Sequence, residues 1–121
     1  TRLSYNVDNI TGKELKLSDL FKGGYEYKKV INLEIANAIQ FDKDKYFTGK
    51  DGFKGISEKQ GFYVSSGNVV IYFNVYEIAP YVTGIPEFYI PFEKFDQKEL
   101  KYELQPYNIK NIWIECTNFK F

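Results

Sequence analysis

The stretch from Gly61 to Pro91, GFYVSSGNVVIYFNVYEIAPYVTGIPEFYIP, constrains the fold more than any other part of the chain. Two dense runs of strand formers, Phe62 to Ser65 and Val69 to Val75, flank Ser66-Gly67-Asn68. Gly and Asn there accept the positive φ that a tight hairpin demands. The second run is almost continuously apolar, the pattern of a central strand covered on both faces. An aromatic loop, Tyr76-Glu77-Ile78-Ala79-Pro80-Tyr81, then closes at Gly84. Ile85 to Ile90 reads as the next strand, with Pro86 and Pro91 near its ends, where a missing backbone donor does least harm.

The rest of the chain supplies what this hairpin packs on. From Tyr25 to about Phe41, the apolar positions Tyr27, Val30, Ile31, Ile35, Ala38 and Ile39 recur at three- and four-residue spacing. That spacing predicts an amphipathic helix with one face in the core. Upstream, Leu3, Tyr5 and Val7 alternate with polar neighbours, the pattern of a half-buried strand. Ser18-Asp19-Leu20-Phe21 reads as a capped helical turn stopped by Gly23-Gly24. Residues 42–60 are charged and lack sustained periodicity, so they read as a long surface excursion. Ile112, Ile114 and Cys116, alternating with Trp113, Glu115 and Thr117, predict a last strand. These elements make an α+β fold, with one main helix on a mostly antiparallel sheet, and a single domain over residues 1–121.

Composition removes several function classes. A chain of 121 residues can bury roughly two-thirds of its unfolded surface in one core. It holds no His and a single cysteine, Cys116, which excludes an internal disulfide, His-dependent triads and Cys/His zinc sites. Asp42-Lys43-Asp44-Lys45-Tyr46 resembles the opening of a calcium loop. Phe47 stands where that loop requires Gly, however, and Phe53 where it requires a bidentate Glu. Neither metal nor cofactor is expected. Sixteen acidic residues balance sixteen basic ones, which argues against nucleic acid as the partner. No run is apolar and long enough to span a membrane. The chain starts at Thr1 without a signal-like segment, as expected of a processed product or a piece of a longer chain, so any membrane attachment would need a segment outside this sequence.

Candidate chemistry gathers in the opening stretch. No Lys or Arg falls between Gly61 and Pro91, while Glu77 and Glu87 do, so an acidic, Lys-free face is expected there. Glu77 and Glu87 are also the obvious pair for glycan hydrolysis, which needs carboxylates about 5 to 9.5 Å apart. Read as a binding site, Tyr76, Glu77, Ile78, Pro80, Tyr81 and Glu87 form a stiff aromatic projection on a rigid sheet, with little entropy to lose on docking. An acidic face would steer a basic protein towards it. Read as scaffold alone, Tyr76 and Tyr81 cover the hairpin end, Pro80 holds a tight turn through a cis bond, and Glu77 bonds the loop backbone. A further reading has Tyr63, Tyr72, Tyr81, Phe88 and Tyr89 stacking on sugar rings, although strand aromatics more often form core or cross-strand pairs.

The run Phe62-Tyr63, Val69-Val70-Ile71-Tyr72-Phe73, Tyr76-Glu77-Ile78-Ala79-Pro80-Tyr81, Gly84-Ile85-Pro86-Glu87 and Ile90-Pro91 resembles the signature of the RsiV-type C-terminal domain family. Thr11-Gly12-Lys13-Glu14 and Leu17-Ser18-Asp19-Leu20-Phe21 match it upstream in the same order. The resemblance covers Leu3 to Phe95, and the tail from Gln97 departs from it as a C-terminal extension. It implies a non-catalytic α+β domain outside the bacterial cytoplasmic membrane. Such domains form the outer part of anti-sigma factors that act as lysozyme receptors, and accessory regions of peptidoglycan deacetylases. Lysozyme or another basic extracellular protein is then the expected partner, with peptidoglycan the alternative.

Overall fold

The computed structural model describes residues 2–101 and 109–115, the last three by their backbone alone. In chain order it contains β1 (Arg2–Asp8), β2 (Glu14–Leu15), α1 (Tyr27–Phe41), β3 (Gly61–Ser65), β4 (Asn68–Tyr72), β5 (Glu87–Pro91) and β6 (Ile109–Glu115). The fold is α+β, with one α-helix among the described residues. The antiparallel strands form two three-stranded sheets, β2-β1-β6 and β3-β4-β5, where the sequence suggested one. Tyr102 to Asn108, and Cys116 and Thr117 at the end of the expected last strand, lie outside the described residues.

The β3-β4 hairpin turns on two residues. Ser66 has φ +44° and Gly67 φ +82°, so Ser and Gly carry the positive φ of the turn, and Asn68 is already paired with Ser65 in the ladder. β4 stops at Tyr72, short of the expected Val75, as the chain leaves the ladder. Val69 and Ile71 join the core cluster that holds Ile31 and Ile35 of α1. Val70 and Tyr72, on the other face of β4, are buried as well.

Helix α1 buries Ile31 and Ile35 completely. Full burial of a side chain of this size stabilises by about 1.5–3 kcal/mol. Tyr27, Val30 and Ile39 pack at the rim of the same core. Ala38, read as a core position, is exposed; it sits at the edge of a stripe only wide enough for the isoleucines. The segment after the helix is more than a surface excursion, since Tyr46, Phe53 and Ile56 return to the core. The Phe53 and Phe73 rings meet edge-on at 5.7 Å, and Asn32 Oδ1 accepts the Ile56 amide at 2.9 Å.

Strand β1 is turned the opposite way from its hydropathy. Leu3 and Tyr5 are exposed, while Ser4, Asn6 and Asp8 face inward. The reason lies across the gap between the sheets, where β3 would otherwise present a bare edge. Ser4 Oγ donates to the Phe62 carbonyl at 2.8 Å and Asn6 Nδ2 to the same oxygen at 2.9 Å. Asn111 Nδ2 of β6 donates to the Val64 carbonyl at 2.9 Å. Burying those carbonyls unpaired would cost more than exposing two apolar side chains.

Candidate functional site

The loop between β4 and β5 sorts its residues by direction. Ile78 and Ala79 are buried and anchor it, and the Ile78 carbonyl accepts the Phe47 amide at 2.7 Å. Ile78 is therefore a core residue, unlike the contact residue expected from its place in the aromatic run. Tyr76, Tyr81 and Val82 are 65%, 66% and 91% exposed. The two Tyr rings lie 5.9 Å apart, tilted by 33°. Pro80, half-buried, precedes a 3-10 turn over Tyr81–Thr83 through a trans bond. Gly84, with φ +78°, lets the chain turn back towards β5.

Tyr76 itself is in the left-handed region, at φ +71°. It is the third residue of a turn in which Glu77 N donates to Asn74 O at 3.1 Å. Turns with positive φ at that position usually place Gly or Asn there. Glu77 Oε1 accepts the Asn74 amide at 2.9 Å, so its carboxylate closes the turn that presents the ring.

Glu87 serves a different group. At the start of β5, its Oε2 accepts from Arg2 at 2.7 Å and from Tyr63 Oη at 2.8 Å. Tyr63 and Tyr89 hydroxyls approach within 3.3 Å. Burial, the Tyr89 and Glu87 hydrogen bonds and the Glu87 charge all push the Tyr63 pKa well above the ordinary 10.0. The Arg2 guanidinium also lies 5.2 Å from the centre of the Tyr72 ring, a cation–π distance. The Lys-free stretch is thus supplied with a cation from β1, and its face is less acidic than its composition. A cleft of ≈ 320 Å³ opens beside this network, bordered by Arg2, Ser4, Gly61 and Tyr72 and by the charged Glu14 and Glu58.

Of the aromatics considered for sugar stacking, Tyr72 and Phe88 are buried, whereas Tyr81 and Tyr89 are exposed. The two carboxylates proposed for hydrolysis are separately engaged, Glu77 by the loop backbone and Glu87 by Arg2 and Tyr63. Sequence reasoning missed Arg2, Asn74 and Val82. A Tyr in place of Gly before an Asp or Glu, inside an Asn-initiated turn, is the local signal that could have singled out Asn74. Nothing near Arg2 in sequence points to it. Among the described residues no group of three or more His, Cys, Asp or Glu converges on a metal position, and no helix is long and apolar enough to cross a membrane.

Residues 18–93, which include α1, the hairpin and the exposed loop, match the family described as Protein of unknown function (DUF3298). The chain belongs to this family. A solved structure of a DUF3298 member from Bacteroides fragilis NCTC 9343 is similar, at 30% identity and a TM-score of 0.50, over 67% of this chain. The alignment spans 34% of that chain's length, so the relative is substantially longer than the shared unit. No curated protein matches. The DUF3298 match contains the whole candidate loop and Asn74, whereas Arg2 and the rest of β1 lie before it.

Proposed function

We propose that this DUF3298 domain is a non-catalytic recognition module of the RsiV type, working outside the cytoplasmic membrane and binding a protein partner such as lysozyme through the Tyr76–Glu87 loop. The observation that carries the reading is Tyr76: a bulky ring held at φ +71° and 65% exposed, in a conformation costing about 1–2 kcal/mol for a residue with a Cβ. Strain of this kind is retained where the presented side chain is used. Tyr81 and Val82 extend the same projection. Glu77 and Glu87 both hold internal hydrogen bonds, so recognition here rests on burying aromatic surface more than on charge steering. The proposed location outside the cytoplasmic membrane is supported by the family resemblance.

Calorimetric titration against lysozyme tests this directly. The expected result is binding that weakens at least tenfold in Tyr76→Ala and in Tyr81→Ala, and that changes little between low and physiological salt. No heat at high micromolar concentrations of both proteins would overturn the lysozyme assignment. A second reading, binding to peptidoglycan, is favoured by one feature, the exposed Tyr89 beside the Tyr63 hydroxyl on the sheet face opposite the helix. Sedimentation with insoluble peptidoglycan, lost in Tyr89→Ala and retained in Tyr81→Ala, would select it.

A further inference from the structure

The loop that presents Tyr76 is held at both ends by one residue from the far end of the sequence. At its start, the Asn74 side-chain amide pairs with the Arg2 backbone as a neighbouring strand would. Arg2 N donates to Asn74 Oδ1 at 2.6 Å, and Asn74 Nδ2 donates to Arg2 O at 3.2 Å. The main chain of the same Asn74 closes the Tyr76 turn, its amide on Glu77 Oε1 and its carbonyl on Glu77 N. At the loop's other end, the Arg2 guanidinium donates to Glu87 Oε2 at 2.7 Å. The Arg2 and Glu87 side chains are only 20% and 26% exposed, so the ion pair is partly shielded from water, unlike a surface pair of little worth.

We infer that Arg2 is a positioning residue that brackets the loop, so that the conformation of residues 75–86 and the docking of the first residues of β1 are coupled in both directions. Two sites that share a bracket cannot relax independently. Loosening Asn74 frees the Arg2 backbone and the Tyr76 turn together, and undocking the first residues of β1 releases Asn74 and Glu87 together. By linkage, a ligand that selects one loop conformation alters how firmly the start of β1 is held, and anything that pulls on β1 alters the loop's affinity. The identity of such a ligand rests on the reading proposed above; the coupling is a property of the free chain.

Hydrogen exchange read residue by residue by NMR on the whole chain, without ligand, tests it. Arg2→Ala, which takes the guanidinium from Glu87 and leaves the Arg2 backbone on Asn74, is expected to speed exchange at Thr83 and Gly84, the end of the loop next to Glu87, at least tenfold. Glu77→Ala, in the loop, is expected to speed exchange at Arg2 to Tyr5 by a similar factor. In both, α1 and the β3-β4 ladder should stay within about twofold of the parent. If each substitution affects only the element that carries it, or if all amides accelerate together, the inference is overturned. Should Arg2→Ala fail to fold, Glu77→Ala, at an exposed position, decides alone. Since no ligand is present, a failed lysozyme titration leaves this result standing, and the reverse also holds.

Discussion

At Gly61, an added Cβ would lie 2.6 Å from two carbons of the Tyr72 ring. That ring cannot swing aside, because its hydroxyl meets Ser4 Oγ at 2.8 Å and Arg2 sits over its face. Gly61→Ala is therefore expected to lose about 1–3 kcal/mol in urea unfolding, with the β1 contacts loosened first. Tyr76 gives the opposite sign. Tyr76→Gly relieves the left-handed strain at φ +71° and should raise stability by about 0.5–1 kcal/mol, the strain relief being offset in part by the added freedom of the unfolded chain. Under the proposed reading, the same change should remove lysozyme binding. A substitution that stabilises the fold while abolishing recognition would separate presentation of the ring from a scaffold role. Neither position announces itself in sequence as special: Gly61 looks like a strand boundary, and Tyr76 like one aromatic among many.

The elements differ in how legible they were, and for a physical reason. Helix α1 was readable because its stripe has a 3.6-residue period and the hairpin supplies an apolar wall for it. Ile31→Ala or Ile35→Ala, at fully buried positions, is expected to cost about 2–5 kcal/mol, measurable as a lowered urea midpoint with an unchanged slope. Strand β1 was placed in sequence, but its inward face was not. Alternation identifies two faces without saying which meets protein, and here the polar face wins because β3 offers carbonyls that need donors. Asn6→Leu, which follows the hydropathy rule, should destabilise by about 1–3 kcal/mol by stripping the Phe62 carbonyl of a buried donor. The 42–60 segment runs over the surface as its composition suggests, but three of its side chains turn inward. Tyr46, Phe53 and Ile56 are spaced too widely to form a periodic signal, yet all three pack, partly buried, against the core.

Across the whole molecule, the abundance of tyrosine makes alkaline pH a probe of packing. Burial raises the pKa of Tyr27, Tyr46 and, most strongly, Tyr63 above the ordinary 10.0. The folded state therefore holds these protons more tightly than the unfolded chain does. Their contribution is fully present below pH ~10 and is lost as pH rises beyond it. Stability should stay level through neutral pH and fall steeply above about pH 10, and Tyr63→Phe should shallow that fall, as read from thermal unfolding across a pH series. The amino-acid sequence by itself determined the hairpin, the helix, the aromatic loop and membership of DUF3298, because each is written in local periodicity or in a contiguous motif. Tertiary structure alone decided the division into two sheets, the outward turn of Leu3 and Tyr5, the burial of Ile78 and the bracket from Arg2 to Asn74 and Glu87. Those features depend on which backbone groups lack partners once the strands meet, and residues 72 and 85 positions apart carry no mark in sequence of the contacts they will make.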